Sequence, residues 1–332
     1  MDKFLNHSVN KKNLIEFLTP TSKGTKWYDP PPENLYNERV LGRLLLQYHQ
    51  VAEKINKSNF SKNLKFMDVG TGNGLLPELI SKSFTCKKVI GIDPYEDGEH
   101  KTSNPKGTRN KLLNESLKHI KNGYIDFNSY KSYIKYEGFS EIPQKFKLFK
   151  PGAEWKFIKK TVNQLSRYEK FNFIFAKCID HISNWENLIK EITIRSEKNS
   201  MLIIKHNSYF SYNGAHRYAS TFIPWGHVLL KESDYFKYIK KYHSNRYEEI
   251  KKFYYNNLSY PRNTIDDLKI ILYNNGWQIK KIDFSIHKKT NSMLKLAGGP
   301  EKLLHDAKKR FSNISLPELT SSRIIIQANK EK

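Results

Sequence analysis

Short apolar runs alternate with amphipathic stretches through much of this chain, and the alternation predicts strands separated by helices. KFMDVG (65–70) and KKVIGID (87–93) read as buried strands flanking the helix LLPELISKSF (75–84), which makes one βαβ unit. WKFIKK (155–160), FNFIFAK (171–177) and SMLIIKH (200–206) continue the strand series, with the helix NWENLIKEITIRSE (184–197) between the last two. Further on, TIDDLKIILYNNGWQIKKIDFSI (264–286) reads as a helix, an Asn-Asn-Gly stop and a strand. The polar helix PEKLLHDAKKRF (300–311) and the strand RIIIQAN (323–329) follow. Upstream, the stretch NERVLGRLLLQYHQVAEKI (37–55) has apolar residues near helical spacing and is expected to cap the core.

Two segments break the rhythm. Residues 95–154 form a polar, lysine-rich insertion with one helical piece, RNKLLNESLKHIKNGY (109–124). Residues 207–260 are dense in aromatic side chains and histidines and too long for an ordinary connection, which suits a functional lid. The organisation expected is therefore an N-terminal helical cap over 1–60 and one α/β domain over 61–332 carrying these two insertions.

The sharpest local signal is FMDVGTGNG (66–74), where a strand runs into glycines at every second position and then into a helix. Such a turn leaves backbone N–H groups bare at the helix start and suits a polar ligand at the carboxyl edge of a doubly wound sheet. A nicotinamide site normally shows G-x-G-x-x-G, whereas Gly70, Gly72 and Gly74 give G-x-G-x-G followed by Leu75, which disfavours an NAD-dependent oxidoreductase. Asp93, closing the second strand, is placed to accept ribose hydroxyls.

In their order and spacing, DVGTGNG, VIGID, FNFIFAKCIDHISNWENLIKEI and NNGWQIKKIDF resemble the class I S-adenosylmethionine-dependent methyltransferases, especially those acting on small molecules and sugars. The resemblance implies a doubly wound, seven-stranded Rossmann-like sheet in which the seventh strand lies antiparallel beside the fifth. It implies S-adenosyl-L-methionine as cofactor, with Asp68, Gly70, Thr71, Gly72, Asn73 and Gly74 around its methionine and adenosine parts and Asp93 on the ribose. The family often carries an acid after strand three; KKTVNQL offers Thr161, Val162 and Asn163 there instead. Lys177 and Cys178 fall where the family lines the methyl-donor cleft, and Asp180-His181 matches an acid–His pair common in the group. Cys178 reads as a small buried side chain rather than a nucleophile.

Methyl transfer from a sulfonium is an in-line displacement, so alignment is the main catalytic device, and an alcohol acceptor needs a base in addition. His227 is the first candidate base and His206 the second; His216, Tyr209, Tyr212, Arg217, Tyr218 and Trp225 accompany them. The stretch Asp29 to Glu33, with three prolines, is read as a stiff turn.

A net charge of +24, from 57 basic and 33 acidic residues, keeps a nucleic-acid substrate open as an alternative. The excess is mostly lysine spread from end to end, with arginine scarce, so a small-molecule or saccharide acceptor is favoured. A non-catalytic, cofactor-binding partner subunit is the remaining alternative. Two cysteines, Cys86 and Cys178, give neither a zinc pattern nor a disulfide framework, and metal-independent transfer is expected. With no apolar run of spanning length and no signal-peptide pattern at the N-terminus, a cytoplasmic protein without a membrane span is expected.

Overall fold

The computed structural model describes residues 33–95, 105–125, 154–214, 224–286 and 290–331, less positions 59, 61, 62, 119, 122, 123, 178, 213, 243, 245 and 246. The proline-rich turn, Cys178, His216, Arg217, Tyr218 and most of the first insertion lie outside the described residues.

The chain enters through α1 (Glu33–Lys57) and passes to β1 (Leu64–Val69), α2 (Leu75–Ser83) and β2 (Cys86–Ile92). Helix α3 (Pro105–Lys118) and a short hairpin pairing Ile120 and Lys121 with Tyr124 and Ile125 come next. Strand β3 (Trp155–Ile158), β4 (Phe171–Lys177), α4 (Trp185–Ile194) and β5 (Ser196–His206) follow. The second insertion holds α5 (Gly226–Leu229), α6 (Glu232–Tyr242) and α7 (Tyr247–Lys252). The remainder is α8 (Ile265–Asn274), β6 (Trp277–Ile286), α9 (Thr290–Leu296), α10 (Pro300–Lys308), α11 (Leu316–Thr320) and β7 (Ser321–Lys330).

The seven long strands form one sheet in the order β3-β2-β1-β4-β5-β7-β6. The first five run parallel, and β7 is antiparallel to both β5 and β6. This is the doubly wound seven-stranded sheet expected, with strand seven beside strand five.

The apolar runs have a simple cause. Strands β1 and β4 are covered on both faces, so successive residues must all be apolar while pointing alternately to opposite sides. Phe66, Phe173, Phe175 and Ile203 join a core with Leu45, Tyr48, Val51 and Ile55 of α1 and Leu79 of α2. Their neighbours Met67, Ile174, Ala176 and Leu202 face the other way, onto Trp185 and Ile189 of α4 and Leu268 of α8. The expected cap helix is thus α1, packed on one face of the sheet.

Helix boundaries follow from local chemistry. Asn184 caps α4 by accepting the Asn187 amide at 2.9 Å. Thr264 and Asp267 form a reciprocal capping box at α8, whose end is marked by Gly276 at φ 76°.

A third core holds the described part of the second insertion, the segment expected to act as a lid. Phe210, Trp225, Tyr235, Tyr238, Ile239 and Tyr254 pack with Met293, Leu303, Ala307 and Leu319, so the lid shares its interior with the helices that join β6 to β7. Among the described residues, no helix is long and apolar enough to cross a membrane.

Candidate functional site

The glycine loop lies at the carboxyl end of β1 and starts α2. Gly70, Gly72 and Gly74 all have positive φ, at 72°, 62° and 71°. Every second residue being left-handed folds the backbone into a tight crown that side-chain-bearing residues resist. The amides of Gly70 and Thr71 donate to the Ile92 carbonyl at 2.9 and 3.0 Å, pinning the loop to the end of β2.

Polar side chains fix the rest. Thr71 Oγ1 donates to Asp68 Oδ2 at 2.6 Å, and Asp93 Oδ2 accepts the Gly72 amide at 2.9 Å. Asp93 Oδ1 accepts the Tyr95 amide at 2.9 Å. Lys177 Nζ donates to the Thr71 carbonyl at 3.0 Å, and the Asn73 side chain accepts the Leu75 amide at 3.3 Å. Asp68, Gly70, Thr71, Gly72, Asn73, Gly74, Asp93 and Lys177 are therefore brought together at one sheet edge. Burial pushes the Asp68 carboxyl up to about 6, opposed chiefly by Lys177 and then by the Thr71 hydrogen bond.

Thr161 and Val162 sit in a separate turn after β3. Thr161 is exposed and caps the 3-10 turn Val162–Gln164, whereas Val162 is buried in the second core. Buried Arg195 braces this turn, with Nη2 donating to the Leu165 carbonyl at 2.5 Å and Nη1 to Glu191 Oε2 at 2.6 Å. Asp93 reaches the same side through its amide, which donates to the Ile158 carbonyl at 3.3 Å.

The chemistry of this cradle fits an adenosyl sulfonium. A Cβ built on Gly72 would meet no atom within 4 Å, so space lies open above the loop. Asp68 Oδ1 is buried without a hydrogen-bond partner among the described residues, and Asp93 retains acceptor capacity for ribose hydroxyls.

One cluster at the loop was not legible in the sequence. Arg109, from the first insertion, donates through Nε to the Asn73 carbonyl at 2.7 Å and through Nη2 to Glu78 Oε2 at 2.5 Å. Its guanidinium also lies over the Trp155 ring, 5.1 Å from the centroid. No spacing rule links residues 73, 109 and 155, because they meet only once the sheet has formed.

Residues 36–282 match the model of a family described as a methyltransferase domain. The chain belongs to that family. Together with the strand order, the match bears out a class I S-adenosylmethionine-dependent methyltransferase, and with it an enzyme whose cofactor is S-adenosyl-L-methionine. No curated protein matches the methyltransferase. Among solved structures, a candidate S-adenosylmethionine-dependent methyltransferase of Listeria monocytogenes is 13% identical, with 86% of this chain and 100% of that one covered and a TM-score of 0.42. Magnesium protoporphyrin IX methyltransferase of Synechocystis, solved with S-adenosylhomocysteine, is 12% identical, with 91% and 90% covered and a TM-score of 0.42. Phosphoethanolamine N-methyltransferase 2 of Haemonchus contortus is 12% identical, with 86% and 53% covered and a TM-score of 0.41.

The two candidate bases of the methyltransferase occupy different surroundings. His227 is buried in the lid's core, its Nε2 within 2.6 Å of the Tyr209 carbonyl and its ring edge-on to Tyr209. Only a donor can meet a carbonyl, so that nitrogen carries the proton. His206 ends β5, packed edge-on to Trp185, and its Nδ1 has no hydrogen-bond partner among the described residues. Burial holds both imidazoles down, His206 to about 3 and His227 to about 4. Beside His206, His181 Nε2 lies 3.4 Å from buried Asp180 Oδ2. Among the described residues, no group of three or more His, Cys, Asp or Glu side chains could hold a metal ion.

Proposed function

We propose that this methyltransferase acts on a small-molecule or saccharide acceptor, at oxygen. The observation that carries the reading is the seating of the aromatic lid on the loop that follows β4. The Ser259 amide donates to the Asp180 carbonyl at 2.7 Å and the Tyr260 amide to Ser183 Oγ at 3.4 Å. A roof packed this close to the cofactor edge favours a bounded acceptor, and its tyrosines suit a flat ring or the apolar face of a sugar.

The bound cofactor supplies an electrophilic methyl on a sulfonium. Asp93 is proposed to hold the ribose, Asp68 with the Gly70–Gly74 backbone and Lys177 to line the methionine part, and Thr161 and Val162 to flank the adenine. For the base, the geometry favours His206 over His227. Both imidazoles are neutral and both keep an unpartnered Nδ1, but His206 stands at the carboxyl end of β5, where ligands bind this fold. His227 has one nitrogen committed to Tyr209 within the lid's own core.

The reading is tested by titrating the protein with S-adenosylhomocysteine and then screening alcohols, phenols and sugars for transfer of isotopically labelled methyl. Micromolar binding and labelling of an acceptor oxygen are expected. Labelling confined to RNA or DNA, with binding that falls steeply as salt rises, would overturn it.

A further inference from the structure

We infer that Arg109, contributed by the insertion between β2 and β3, is a positioning residue for the cofactor loop, acting as a clamp together with Trp155 and Glu78. The inference rests on reading the glycine loop as the cofactor cradle and assigns a role to an insertion that no sequence motif explains.

Two of the loop's carbonyls are each held by a cation. Lys177, at the end of β4, takes the Thr71 carbonyl at 3.0 Å, and Arg109 takes the Asn73 carbonyl at 2.7 Å. In a trans peptide the N–H points opposite to the C=O. Turning the Asn73 carbonyl outward to Arg109 therefore turns the Gly74 amide inward, where it reaches the Thr71 carbonyl only at a long 3.4 Å. Fixing the Asn73 carbonyl fixes the orientation of the whole 73–74 peptide, and with it the weakly bonded Gly74 amide at the start of α2.

Arg109 is itself held on three sides. Its Nη2 is 2.5 Å from Glu78 Oε2, its Nε is on Asn73, and its plane lies over Trp155. A planar guanidinium can serve a carbonyl, a carboxylate and a ring at once, which an ammonium cannot. Trp155 completes the clamp from beneath. A Cβ at Gly74 would fall 2.6 Å from Trp155 Cη2 and Cζ3, so the indole lies directly against the loop backbone. The side chain of Arg109 is 22% exposed and that of Glu78 12%, so water does not replace either partner freely.

The clamp makes cofactor affinity depend on the insertion, although Arg109 need touch no part of the ligand. The experiment titrates S-adenosylhomocysteine into wild type, Arg109→Met, Arg109→Lys and Trp155→Leu, with a urea melt of each unliganded protein. Loss of a charge-assisted bond to the loop is expected to weaken binding about tenfold in Arg109→Met. Arg109→Lys should recover part of that loss, and hydrogen exchange at residues 70–76 should quicken in step with the affinity loss. A folded Arg109→Met that binds as wild type overturns the clamp, as does one whose melt shifts while exchange at 70–76 does not. Should Arg109→Met fail to fold, Trp155→Leu and Arg109→Lys carry the same comparison. Absence of binding by folded wild type would instead sink the cofactor reading on which the clamp rests.

Discussion

Asp93 Oδ2 accepts the Gly72 amide at 2.9 Å, so the residue proposed to bind ribose also braces the loop on which the cofactor would rest. Its other oxygen takes the Tyr95 amide, and each carboxylate oxygen keeps a further lone pair for a ligand hydroxyl. Asp93→Asn removes the charge and offers a single acceptor oxygen; Asp93→Ala removes everything. Calorimetric titration with S-adenosylhomocysteine should show affinity falling about tenfold in the first and about a hundredfold in the second. Equal binding by both variants and wild type would remove Asp93 from the site.

The glycines at 72 and 74 should respond differently to alanine. Both have left-handed backbones, which cost a side-chain-bearing residue about 1–2 kcal/mol. Gly72 faces open space, whereas Gly74 faces Trp155. Gly74→Ala should therefore lose a further 1–3 kcal/mol or so from overpacking. Urea unfolding of the two variants gives the difference directly, and Trp155→Leu should relieve Gly74→Ala but not Gly72→Ala.

Stability should peak near neutral pH, for two opposed reasons. His206 and His227 are held below their ordinary pKa, so the folded state stays neutral while the unfolded state takes up protons. Their stabilising contribution is complete above about pH 6.5 and is lost as pH falls, by roughly 2 kcal/mol for each histidine at pH 5. Glu318 runs the other way. It is fully buried, accepts the Ile265 amide at the start of α8, and is pushed up to about 8 by burial. Its folded form keeps a proton that the unfolded form releases, so stability falls as pH rises from about 4.5 to 8. Glu318→Gln should flatten the fall of a Tm–pH profile above about pH 6.5 and steepen its rise between about pH 4.5 and 6.5.

Once an acceptor is found, His206→Asn should lower kcat by about 10²–10⁴-fold with S-adenosylhomocysteine affinity retained. His227→Asn should act mainly through the lid's packing, lowering Tm more than kcat. The reverse pattern would return the base to His227.

Much of this architecture was legible in the chain because it is written in local terms. The apolar runs of β1 and β4 reflect burial on both faces, and the glycines of the loop reflect backbone angles, so each needs only its own neighbours to be recognised. The polar edge around the loop followed, since Asp93 and Lys177 close their strands and meet it there. What escaped is assembled from distant pieces. Arg109 reads as one more cation in a lysine-rich stretch until β3 brings Trp155 beneath it. The lid likewise reads as 207–260, yet its core is completed by Met293, Leu303 and Leu319, which lie beyond β6 in the chain. Glu318 carries no motif at all, and only its distance from Ile265 reveals it as a cap.

The strand order has a consequence for how the sheet is made. Ser321–Lys330 lies between β5 and β6, pairing Ile324 with both His206 and Phe284. Until those ten residues emerge from the ribosome, β5 and β6 each present an open edge with unsatisfied backbone groups. Closure then joins segments more than a hundred residues apart, a slow step by its chain entropy. The edges of β5 and β6 that β7 covers are thus where chaperone protection would act until the last strand is in place.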